Sequence, residues 1–252
     1  MYNLPLGVSV SVKKEKWLST FRENGISQIE LLADTGLESW AKSTVERISS
    51  LGLNLWSVHL PFGAGWDLSN LDKGQREQTV ENFKKWIELA GSWGAKVCVI
   101  HPSLEPIADE EREKKLAISR ESLKELGATA KEQGVKLAVE CLPRTCLGNT
   151  RQEIEYLTDS PALYVCCDVN HLFKETPQDF IRALGAKVVT THMSDWDGID
   201  ERHWLPGEGI NDWQKILAAL DEEGYKGPFL LEVKNSEGAA LQKSCRKIQG
   251  QG

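Results

Sequence analysis

Eight short runs rich in apolar and β-branched residues alternate with longer amphipathic segments along the whole chain, and that alternation leaves few folds open. The strand-like runs read LPLGVSV, SQIELLA, LNLWSVHL, KVCVIHP, VKLAVE, ALYVCCD, KVVTTHM and PFLLEV. Between them lie helical patterns such as SWAKSTVERISSLG, REQTVENFKKWIELAGSWG and DWQKILAALDEEG. Most of these stop at glycine, the residue that turns left-handed most readily at a helix end. Several strands are nearly continuous apolar runs, which suits a parallel sheet covered by helices on one face and filled on the other. Strands joined in this way build either an open doubly wound sheet or a closed barrel. The doubly wound sheet usually carries a glycine-rich phosphate loop after its first strand, and SVSVKKEKW has no glycine. Eight repeats in 252 residues, with no linker or low-complexity break, predict an α/β fold of the (β/α)8 TIM barrel type. A single domain spanning 1–252 is expected.

Charge and cysteine usage narrow the partners. A formal net charge of −7 argues against a general nucleic-acid binder, whose affinity rests on Lys and Arg neutralising phosphates. MYNLPLGVSVSVKKEKW lacks the pattern of a signal peptide, and no run is long enough to span a membrane. Cys98, Cys141, Cys166 and Cys167 fall in or beside apolar strands, where a reduced thiol packs as a small hydrophobe. Cys166 and Cys167 are adjacent, as expected for opposite faces of one strand. Reduced thiols of this kind imply a cytoplasmic location. A homo-oligomer is compatible with this composition.

In a barrel of this kind the chemistry sits where strands end and the following loops begin. Those positions hold Glu30, His59, His101, Glu140, Asp168, His192 and Glu232, one each from the second strand to the eighth. DVNH adds His171 and DERH adds His203, so all five histidines fall at one predicted rim. A histidine at a strand end has an ordinary use, donating to a main-chain carbonyl. Glu140 and Glu232 are harder to explain that way, because each ends an apolar strand and a desolvated carboxylate needs a cation or strong donors. Arg144 and Lys234 lie just beyond the strand ends, and Arg202 is the other nearby cationic candidate. One divalent metal satisfies several such carboxylates and imidazoles together. Glu, Asp and His without thiolate suit Mn, Co or Mg, with Zn also acceptable.

These residues resemble the xylose isomerase-like barrel superfamily, in its sugar phosphate isomerase/epimerase branch. The resemblance is carried by VHLPF at 58–62, HPS at 101–103, VECLPRTCLGNT at 139–150 and CDVNH at 167–171, then HMSD at 192–195, LPGEG at 205–209 and the LLE ending at Glu232. It implies that Glu140, Asp168, His192 and Glu232 bind one divalent ion, as in the ketose 3-epimerases of that superfamily. It also implies that Glu140 and Glu232 move a proton through a metal-stabilised enediolate of a small sugar, keto acid or cyclitol. His171 is then a contact to substrate oxygens. His59, His101, Arg202 and His203 are further candidate substrate contacts. The loop FGAGWDLSNLD and the side chains of Trp196 and Trp204 are placed to exclude water. The resemblance carries two alternatives. One is an inosose dehydratase-like lyase, which shares the proton-abstraction step. The other is an apurinic endonuclease of the endonuclease IV kind, with a zinc cluster. For the nuclease, His59 and His101 would support a second ion with Glu140. Glu201 stands where that pattern has an Asp, which weakens the case for a third ion.

Overall fold

The protein is described by a computed structural model covering residues 2–33, 37–235 and 237–250. Its strands are β1 (Leu6–Val10), β2 (Gln28–Leu32), β3 (Asn54–His59), β4 (Val97–Ile100), β5 (Lys136–Glu140), β6 (Leu163–Asp168), β7 (Val188–His192) and β8 (Phe229–Leu231). The helices are α1 (Leu18–Glu23), α2 (Glu38–Ser50), α3 (Lys73–Ser92), α4 (Asp109–Glu132), α5 (Arg151–Leu157), α6 (Pro177–Leu184), α7 (Trp213–Glu222) and α8 (Gly238–Ile248). Every strand pairs in parallel with its neighbours in the order β7-β6-β5-β4-β3-β2-β1-β8. The (β/α)8 TIM barrel expected from the alternation is the fold that forms.

Helix starts follow local chemistry. The side chains of Asp72, Thr150, Thr176 and Asp212 each accept a bond from a first-turn amide of the helix they precede. Such caps contribute about 1 kcal/mol each. Pro177 opens α6, where a missing N–H costs nothing. Gly94 and Gly134, at φ 81° and 70°, take the chain off α3 and α4 through a conformation other residues resist.

Two hydrophobic clusters divide the interior. The larger lies between sheet and helices and includes Phe21, Phe83, Phe180 and Phe229, fully buried or nearly so. Burying each of these rings contributes roughly 1.5–3 kcal/mol. The smaller joins Val97, Val99, Ala138 and Cys166, with Trp56, Tyr164 and Val189 against them, and fills the barrel itself. Cys167 belongs to the outer cluster and Cys166 to the inner, the opposite faces that their adjacency predicts. All six cysteines are free and buried. Side chains alternate along a strand, so the register that turns Ala138 and Cys166 inward also turns Glu140 and Asp168 inward two residues later.

The barrel closes differently from an unbroken ladder. PFLLEV yields only a three-residue strand, β8. Its junction with β7 is one bridge between Met193 and Leu231. Met193 N donates to Leu230 O at 2.7 Å and Glu232 N to Met193 O at 3.3 Å. That seam sets His192 beside Glu232. Helix α8, which opens on the weak helix former Gly238 and lies outside the periodic segments of the sequence, packs against α1. No helix among the described residues is long and apolar enough to cross a membrane.

The polar loop after β7 is ordered around one buried acid. Asp195 accepts from the main-chain N–H groups of Trp196, Gly207 and Asn211 and from Trp213 Nε1, at 2.8–3.1 Å. Four donors on one carboxylate explain how a stretch with no periodicity keeps one shape.

Candidate metal centre

The strand ends converge as the sequence predicts. Glu140, on β5, is nearly fully buried and lies at the middle. Its Oε2 is 3.1 Å from both His59 Nε2 and His101 Nε2. Its Oε1 is 3.1 Å from His192 Nδ1 and 3.4 Å from His171 Nδ1. Glu232 Oε2 is likewise 3.1 Å from His192 Nδ1. Asp168 Oδ2 lies 3.7 Å from that nitrogen and 3.4 Å from His171 Nδ1.

Three imidazoles are oriented from behind by main-chain oxygens. The Nδ1 of His59 meets Leu60 O at 2.9 Å, that of His171 meets Cys141 O at 3.0 Å, and that of His203 meets Glu232 O at 2.9 Å. A carbonyl only accepts, so each Nδ1 carries the proton and donates. In the neutral ring each Nε2 is then a free lone pair, the form a metal ligand or acceptor must have. His192 is held the other way round. Its Nε2 lies 3.1 Å from Glu30 Oε1, close enough for an ion pair though not aligned as a hydrogen bond, and its Nδ1 faces the carboxylates. Glu30, fully buried at the end of β2, is itself held by Ser57 Oγ, which donates to Oε2 at 2.8 Å. Glu30 was visible as a rim acid but without a role; the structure places it beneath His192.

Three groups of ligand type result, each with donor atoms within 4.8 Å of one another. They are Glu140 with Asp168, His192 and Glu232; His59 with His101 and Glu140; and His171 with Glu201 and His203. The third departs from the sequence reading: Glu201 Oε1 comes within 3.5 Å of His171 Nε2, because the longer side chain spans the distance from the loop. The first group passes a test of fit to a cation. Asp168 Oδ2 is buried with no hydrogen-bond partner among the described residues, a costly state for a carboxylate oxygen unless a cation occupies its front.

The electrostatics run in the same direction. Burial by itself would raise the Glu140 carboxyl, but the imidazoles of His192 and His101 outweigh it and hold the group well below the usual carboxylate range. Glu232 behaves alike, burial opposed and overcome by His192. Burial would lower the imidazoles of His171 and His192; neighbouring anions, Asp168 and Glu140 for the first and Glu30, Glu232 and Glu140 for the second, push both well above the ordinary value. His101 is instead lowered, by burial. Both rings therefore hold a second proton more firmly than a free imidazole does, and a metal bound through His192 must displace the one on its Nδ1. Metal affinity is expected to rise as pH rises towards those raised values. Binding near neutrality should release protons, measured by calorimetry in buffers of differing ionisation enthalpy. Buffer-independent heats would show that these rings are already neutral.

The two arginines near the rim are both paired with acids. Arg202 Nε donates to Asp197 Oδ2 at 2.7 Å within its own loop. Arg144 is taken up by Glu105 and Glu201. Trp196 is buried and stacks on Phe173 at 4.8 Å, as packing, while Trp204 is partly exposed. Phe62 sits over the histidines, its ring centre 5.1 Å from that of His59 and 4.9 Å from that of His101. One residue escaped the sequence reading: Lys14, after β1, whose Nζ donates to Val233 O beside Glu232. Nothing in KKEK separates it from a surface lysine.

The model of the xylose isomerase-like TIM barrel family matches residues 19–249. The chain belongs to that family. Among relatives, it is 30% identical over 200 residues to the uncharacterized protein MJ1311 of Methanocaldococcus jannaschii, covering 75% of this chain and 68% of that one. It is 25% identical over 238 residues to an inosose isomerase of Halalkalibacterium halodurans, covering 88% and 83%. Of the solved structures, a D-tagatose 3-epimerase-like protein superposes with a TM-score of 0.82 at 22% identity, over 98% of this chain and 97% of that one. The IolI protein with a bound zinc atom gives 0.79 at 18% identity, over 98% of both chains. The ligand groups above are of the kind that holds a divalent metal.

Proposed function

We propose that this protein is a divalent-metal-dependent isomerase or epimerase that moves a proton beside the carbonyl of a small sugar, keto acid or cyclitol. The observation that carries the reading is the placement of Glu140 and Glu232, two ionised carboxylates each 3.1 Å from His192 Nδ1 and grouped with Asp168. A divalent ion held by Glu140, Asp168, His192 and Glu232 would supply Lewis acidity, which makes a C–H bond next to a carbonyl more acidic. Glu232 is the better placed base, because its side chain is 25% exposed and lines a cavity of about 240 Å³ at the barrel mouth. Glu140 stands deeper and returns the proton from the other side. The Nε2 atoms of His171 and His203 are available to substrate oxygens, and Phe62 shields His59 and His101 from water. The names borne by the inosose isomerase and the epimerase-like structure support a polyhydroxylated substrate.

A second reading, a phosphoester hydrolase using several ions, is favoured by one observation: Glu140 belongs to two ligand groups and a third adjoins them. Metal content and solvent isotope exchange separate the two. One ion per chain together with deuterium entering a ketose from heavy water supports the isomerase. Three ions, no exchange and nicking of an oligonucleotide with an abasic site would decide for the hydrolase.

A further inference from the structure

The mouth cavity beside Glu232 is lined by Ser9, Ser11, Lys14, Leu32, His203, Val233 and Lys234 as well. In a centre dominated by carboxylates, this one wall carries two ammonium groups. Lys14 is partly buried, and the only hydrogen bond its ammonium makes among the described residues goes to Val233 O. An ammonium has three donors, so two remain. Burial disfavours its charged form, with the nearby Glu232 opposing that. Lys234 is exposed and has no ion-pair partner among the described residues; its main-chain N–H is fixed to His203 O at 3.0 Å. The hydroxyls of Ser9 and Ser11 likewise have no protein partner among the described residues, and both line the same space. The other cations of the rim, Arg144 and Arg202, are already paired with acids.

We infer that this wall is a subsite for an anionic oxygen-bearing group of the substrate, a phosphate or a carboxylate, received by Lys14 and Lys234 with the serine hydroxyls beside them. The inference rests on the proton-transfer reading, since it places the charged end of the substrate next to Glu232. A partly desolvated ammonium with spare donors binds an oxyanion more strongly than one in water, and the two lysines would orient the reacting carbon towards the carboxylates.

The test uses the full chain loaded with magnesium. Methyl phosphate, glycolate and neutral ethylene glycol are titrated calorimetrically into it, into Lys14→Met, Lys14→Arg and Lys234→Met, with metal content measured in each. At least one anion is expected to bind while ethylene glycol does not, and the tighter anion tells phosphate from carboxylate. Lys14→Met should weaken that anion about tenfold or more, Lys234→Met less, and Lys14→Arg should retain most of it, all at unchanged metal content. Anion binding that is absent, or equal in all four proteins, overturns the subsite; in the latter case the anion sits on the metal. Lysine-dependent anion binding without isotope exchange in any ketose would keep the subsite and remove the proton-transfer reading. Exchange into neutral ketoses as fast as into their phosphates, and unchanged in Lys14→Met, would do the reverse.

Discussion

Glu232→Gln is expected to abolish isotope exchange from solvent into a ketose substrate while the protein stays folded. The amide keeps the size of the side chain and one acceptor oxygen, so packing beside His192 is conserved. What disappears is the base, and a positioned general base is worth on the order of 10²–10⁴ in rate. Glu140→Gln should fail in a different way. Glu140 meets His59, His101 and His192 with its two oxygens, so an amide there removes the negative charge that two ligand groups share. That variant should lose metal as well as exchange, whereas Glu232→Gln should lose exchange first and metal only in part, because Glu232 belongs to one ligand group and Glu140 to two. Single-turnover exchange measured alongside metal content separates the two. Normal turnover in either variant would remove that residue from the chemistry.

The strand ends were legible because desolvation is legible. An acid closing an apolar run, as Glu140 closes VKLAVE, must find a counter-charge wherever the strand ends, and the barrel's parallel strands all end on one side. The same rule marked Glu232, strand-end position marked Asp168 and His192, the resemblance joined the four into one set, and the structure gathers them. It could not reach groups whose place depends on where a loop turns back. Lys14 lies in a run of charges that reads as solvated surface, and only the course of the chain after β1 brings it beside Val233. Glu201 looked like a departure from a metal-binding pattern, yet the loop built around Asp195 delivers it to His171. Arg202 was offered by the sequence as a free cation, whereas the loop pairs it with an acid five residues earlier, Asp197. Side chains fixed by strand register were readable, and side chains fixed by loop closure were not.

Glu30 gives that distinction a measurable form, because register places it but only the assembled barrel gives it a function. His192 can bind a metal through Nδ1 only if Nε2 carries the proton, and Nε2 faces Glu30, 3.1 Å away in a fully buried position. A carboxylate behind the ring favours that tautomer and makes the ring a more basic ligand. Removing it should cost about 10–100-fold in metal affinity, as for other outer partners of metal-bound histidines. Glu30→Gln retains an oxygen that can accept from Nε2 and should recover part of the affinity. Glu30→Ala leaves Ser57 and His192 without their shared partner and should show the full loss. Competition against a chelating dye measures both without reference to turnover, and thermal unfolding of the metal-free proteins shows whether the alanine variant is folded. If both variants hold metal as tightly as the parent protein, His192 does not depend on Glu30 for its orientation. A loss confined to the alanine variant and matched by a collapse in metal-free stability would make Glu30 a packing residue instead. The expected pattern is a graded loss, glutamine between glutamate and alanine, at a metal-free stability that the glutamine variant retains.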